Sequence, residues 1–171
     1  MSMHAGGRRF AVVLIGLALA GSGCGTSSAD RPPVASTDRQ AEVAEKGASV
    51  MPFDLERTTH EFVKTGSGGV QTVVADDPGD AAQIRLIRDH LSHEAHEFRA
   101  GHFTDPARIH GAEMPGLDAL RTSAGRIDIT YLDLPPGAQI TYTTSEADLV
   151  GALHAWFDAQ VSDHGSHATH G

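Results

Sequence analysis

Apolar residues recur with a steady period only between Met51 and Val161, and the period changes along that stretch. Residues 58–65 and 69–75 are rich in β-branched and aromatic side chains on either side of Gly66-Ser67-Gly68, the pattern of a β-hairpin. Asp76 to Asp80 supply turn and cap residues before a helical period over 81–99, which gathers Ile84, Ile87, Leu91, Ala95 and Phe98 on one face and stops at Gly101. Residues 104–123 read as short helical turns, with Pro106 and Pro115 each suited to a first helical position. A second hairpin is expected from 126–134 and 139–144, turned by Pro135-Pro136-Gly137. Ser145 then caps a last helix over 146–161, with Asp148 in its third position.

Hairpin, helix, connector, hairpin, helix is a repeated plan. Ile84, Ile87 and Leu91 fall on Val150, Leu153 and Phe157 when the chain is slid by 66 positions, and Asp80 falls on Glu146. Gln71 pairs with Gln139 at a slide of 68. A tandem ββα duplication explains this, and so does the chance phasing of two amphipathic helices. The expected fold is α+β: one domain over 52–163, with a four-stranded antiparallel sheet and two main helices on one face.

The ends differ from this domain. Residues 1–23 have the three parts of a signal peptide: Arg8 and Arg9, an apolar run from Phe10 to Ala20, and the small residues Gly21, Ser22 and Gly23. That run is shorter than the roughly 20 residues a permanent spanning helix needs, so a cleavable signal is expected. Cys24 follows the small residues at the place where a lipoprotein signal carries its diacylglycerol, and the resemblance to a lipobox implies lipidation there. Gly21 stands where Leu is usual at position −3, which leaves cleavage after Ala20 as the other route. Residues 24–51, rich in Ser, Ala, Thr, Pro and charge without apolar period, read as a flexible tether. Cys24 is the single cysteine, so no disulfide forms within the chain and the fold rests on its core. The net charge of −9 becomes more acidic once Arg8 and Arg9 are removed, and it argues against nucleic acid as a partner.

Composition adds one anomaly, eleven histidines. His90, His93 and His96 form HxxHxxH on the first helix, and His164, His167 and His170 repeat the spacing in a tail over 164–171. On a helical wheel His93 lies opposite the apolar face with His90 and His96 flanking it, and Asp89 and Glu97 are its i,i+4 neighbours. Imidazole beside carboxylate suits Zn(II) or Cu(II). It also describes a solvated stripe. In the connector, His110 and Met114 offer imidazole and thioether, a set for copper, or else a helix-ending cation and a core filler. His154 and Asp158 lie one turn apart at the edge of the last helix's apolar face, as an oriented ligand or base, or as a structural hydrogen bond. The tail reads as a metal-collecting arm, and His60 is uninformative.

At THEFVKT, IHGAEMPGL, GAQITYTT and HAWFDAQVSDHG the chain resembles a group of small bacterial exported proteins, some carrying an aspartate carbamoyltransferase label. The Ser-Thr-Arg-Thr-Arg and His-Pro-x-Gln motifs of carbamoyltransferases do not occur, so the resemblance implies one intact domain and transfers no catalytic residue. No glycine-rich phosphate loop, GxSxG elbow or CxxCH haem site occurs either. The function expected is that of an exported, lipid-anchored metal-binding protein of the cell envelope, buffering or delivering copper or zinc, with His90, His93, His96, His110, Met114, His154, Asp158, His164 and His167 as candidate ligands. Its partners are then the metal ion and, through Cys24, the membrane. A second reading is an interaction or solute-binding lipoprotein whose histidines decorate a solvated surface. A third is a metal-dependent hydrolase using His154 and Asp158.

Overall fold

A computed structural model describes residues 35–171, so the expected signal 1–23, Cys24 and the first part of the tether lie outside the described residues. The helices are α1 (Thr37–Ala48), α2 (Ala81–Arg99), α3 (Thr104–His110), α4 (Leu117–Arg121) and α5 (Ala147–His164). The strands are β1 (Thr58–Thr65), β2 (Gly68–Ala75), β3 (Asp128–Leu134), β4 (Gly137–Thr143) and β5 (Ala168–His170), in the sheet order β3-β4-β2-β1-β5. β5 runs parallel to β1, with His60 opposite Ala168, and every other pairing is antiparallel.

The four-stranded antiparallel sheet with two main helices is therefore corrected to a mixed five-stranded sheet with five helices. The fifth strand comes from the histidine tail. A three-residue strand gains most of its hold from ladder hydrogen bonds, and only Ala168 buries a side chain. The fifth helix comes from the tether. Ser36 caps it by accepting from the Arg39 N–H, and only Val43 and Gly47 are buried along it. Polar links hold it instead: Arg39 to Asp163 at 2.7 Å and Gln40 to the Ser162 carbonyl at 3.1 Å. α5 begins at Ala147 with Glu146, not Ser145, in the cap position, where Glu146 pairs with Arg126.

Period two along the strands turns one sheet face to the helices: Thr58, His60 and Phe62 from β1, Val73 and Ala75 from β2, Ala138, Ile140 and Tyr142 from β4. α2 covers the β3-β4-β2 part of that face and α5 covers β2-β1-β5. Between them Trp156 meets Phe98, Phe103, Tyr142 and Phe157, at ring-centre distances of 5.6 to 6.0 Å. Gly116 ahead of α4, at φ 78°, lies so close to the Ala152 carbonyl that any side chain there would collide with α5. This seats the connector against α5 and fixes where α3 enters the core.

Candidate metal site

Ile87, Leu91, Glu94 and Phe98 stand on one stripe of α2 by the i, i+4, i+7, i+11 rule, so Glu94 is carried inward with three apolar neighbours. It is 7 % exposed. His90, one turn earlier, is carried to the same edge of the helix. After α2 the chain turns through Gly101 and Phe103, whose ring stacks on Phe98 at 4.4 Å, and this packing sets the start of α3 with Asp105 in its first turn. One ligand atom from each of His90, Glu94 and Asp105 lies within 4.8 Å of the others.

The electrostatics of this trio follow from burial. Desolvation pushes the Glu94 carboxyl up to about 8, and the charge of Asp105 and a hydrogen bond with it push the same way. Burial lowers the His90 imidazole, against the pull of Asp105. At neutral pH Glu94 in the free protein therefore keeps its proton beside a neutral His90 ring. A cation bound there takes the place of that proton and relieves the repulsion between the two acids. Three protein ligands of mixed nitrogen and oxygen type suit a divalent ion and leave coordination positions open to solvent or substrate. The trio is a site capable of coordinating a metal ion.

It opens on a cavity between α2, α3, α5 and β1 that encloses about 50 Å³. That is room for an ion with a few waters, whereas pockets for organic solutes run about 300–1,000 Å³. His60, His110 and His164 also line it. Three polar atoms of lining residues, His60 Nδ1, Trp156 Nε1 and Gln160 Oε1, are buried without a hydrogen-bond partner. Left dry, each would cost roughly 1–3 kcal/mol. A polar or ionic occupant removes that cost.

The other candidates are placed as follows. His93 and His96 are exposed, so HxxHxxH does not act as one ligand set: His90 alone turns inward. Met114 is a buried core residue outside this cavity, and the expected His110–Met114 copper pair shares only the open groove on the α3–α5 side, which both residues line. His110 Nδ1 instead donates to Asp163 Oδ2 at 2.8 Å, with Arg39 on the same oxygen at 2.7 Å. The expected His154–Asp158 pair is also not formed. His154 Nε2 lies 3.0 Å from the carbonyls of both Thr65 and Gly68 and closes the first hairpin, while Asp158 pairs with Lys64. His164 is partly buried beside His60, and His167 reaches Glu56 at 3.4 Å.

Glu94 and Asp105 were missed as ligands. For Glu94 the signal was its place on an apolar stripe four residues after a histidine. For His60 it was the two-residue period that carries Phe62 inward. Nothing local marks Asp105, whose role depends on the packing of α3.

Fold and site together define a small α+β domain with a cluster of one imidazole and two carboxylates capable of coordinating a cation. Searches of family models, of characterised proteins and of solved structures give no match to this chain.

Proposed function

We propose that this protein binds a divalent metal ion at His90, Glu94 and Asp105, and that it does so outside the cytoplasm, anchored by a lipid on Cys24. The observation that carries the metal reading is the convergence of the three ligand atoms on a cavity of ionic size. Zinc is the ion proposed, because the mixed nitrogen and oxygen set lacks the thioether or thiolate that favours Cu(I). Export and lipidation are supported by the basic, apolar and small-residue segments that precede Cys24. A metal held by three ligands with open positions suits binding with exchange, as in buffering or delivery.

The exposed histidines favour a second reading for the outside of the molecule. His93, His96 and His102 are exposed, and an open groove of about 650 Å³, walled by Met114, Pro115, Ala155 and Ala159, lies on the α3–α5 side. These features describe a solvated histidine surface and a place for a solute or partner, distinct from the metal cavity.

The test is competition titration of the protein with Zn(II), Cu(I) and Cu(II), repeated on His90→Ala and Glu94→Gln. Either change is expected to weaken zinc by more than about tenfold, the scale on which even outer-shell changes act. Zinc binding unchanged in both variants would sink the metal reading. For the address, globomycin-sensitive processing and membrane fractionation of the full chain should be lost in Cys24→Ser, and a soluble, unprocessed product from both forms would reject it.

A further inference from the structure

We propose that the sheet face turned away from α2 and α5 is a contact surface for a second copy of this chain, the two copies packing back to back through their sheets. Phe62, Val73, Ile140 and their neighbours fill the inward positions, so strand alternation turns the residues between them to the other side. Register sets these outward residues in rows across four strands. One row is Val63, Val70, Thr141 and Thr130, and the next is Glu61, Thr72, Gln139 and Leu132. Leu132, 56 % exposed, is the one large hydrophobic side chain that stands exposed among the described residues, and it lies on this face.

Charge and chemistry select the occupant. The chain carries a net charge of −9, so two copies repel wherever their carboxylates meet. In these two rows Glu61 alone is charged, and it stands at the end of its row. A two-fold contact needs a surface that matches itself. Threonine hydroxyls donate and accept alike, and the valines and Leu132 pack against their own kind, whereas a strongly charged face does neither. An anionic membrane leaflet repels a chain of this charge. Edge-to-edge pairing is obstructed, because Arg99 Nε takes the Ile129 carbonyl on β3 at 2.6 Å and β5, at the other edge, is three residues long. Each residue of a sheet covers about 16 Å², from about 3.3 Å along the strand and about 4.8 Å across. On that scale the five strands present roughly 500 Å², and two copies bury about 1,000 Å², the lower limit of a specific interface. The dimer is therefore a reversible one, with a dissociation constant in the micromolar range.

The experiment is sedimentation equilibrium of the full chain in density-matched detergent, at concentrations up to about 1 mM, on the parent, Val70→Lys and Leu132→Glu. The parent is expected to pass from monomer to dimer as concentration rises. Val70→Lys, which buries a charge near the middle of the contact, should raise the dissociation constant by more than about tenfold, and Leu132→Glu, nearer the rim, by less. Far-UV circular dichroism checks that both variants fold. A second measurement needs no variant: the methyl signals of Val63, Val70 and Leu132 in the parent should be broadened by a soluble paramagnetic probe in dilute protein and protected in concentrated protein. A parent that stays monomeric throughout overturns the proposal. So does a dimer that both folded variants leave intact, which would place the contact at a sheet edge or at the α3–α5 groove. Methyls that stay open to the probe in the dimer, or that are already shielded in the monomer by another part of the same chain, overturn it as well.

Discussion

On the inner edge of α2, His90 faces a buried carboxylate one turn away, whereas His93 and His96, at the next two steps of the same three-residue spacing, stand in solvent. Three residues along a helix turn a side chain by about 300°, so an HxxHxxH row drifts around the cylinder and cannot keep one environment. Burial separates the two groups chemically. Inside, removal of water moves Glu94 and His90 away from their ordinary ionisation and makes a cation the natural replacement for the Glu94 proton. Outside, the same imidazole type remains a hydrated surface group. A histidine count therefore says little until the helix face is known.

The contrast is tested most strongly at Glu94. In the metal-free protein its carboxyl keeps a proton that the unfolded chain releases at its ordinary value of 4.5, so native stability falls as pH rises from about 4.5 to about 8. Glu94→Gln removes that loss. The gap in melting free energy between variant and parent, measured with chelator present, should grow from near zero at pH 4 toward a ceiling of about 4 kcal/mol at pH 8. With saturating Zn(II) the sign should reverse, because only the parent has the ligand. A pH-independent gap would mean that Glu94 is solvated like His93.

On the acid side the inner wall acts in the opposite sense. Burial lowers His60 to about 4, so its contribution to stability is present above its ordinary 6.5 and is lost as pH falls through 4. His60→Gln should flatten the melting curve against pH in that window by up to about 3 kcal/mol. An unchanged acid slope would place the titration elsewhere. His154→Ala should cost less, about 1–2 kcal/mol, by depriving the Thr65 and Gly68 carbonyls of their donor. Chemical denaturation reads this change, and zinc affinity should not move.

The parts of the fold set by local pattern were legible: both hairpins and the two long helices follow from period and turn residues. What escaped was set by distant contact. α1 has one buried apolar side chain, Val43, and is held by Arg39 and Gln40 reaching α5, more than a hundred residues away. β5 depends on β1 offering a free edge, which no property of Ala168, Thr169 or His170 announces. The site divides in the same way. Glu94 was readable from its stripe and His60 from strand alternation, but Asp105 becomes a neighbour of Glu94 and His90 only because Phe103 stacks on Phe98.

The smallest effect is expected at the other half of the comparison. His93→Gln with His96→Gln alters two exposed side chains on a helix whose inward stripe is unchanged, and exposed substitutions of this kind usually move stability by less than about 0.5 kcal/mol. Zinc affinity at the cavity and the pH dependence caused by Glu94 should both persist within error in the double variant, read by the same competition titration and melts. If zinc affinity instead fell as far as in His90→Ala, the outer row would belong to the metal site after all. The division between buried ligands and surface histidines would then have to be redrawn along the whole length of α2.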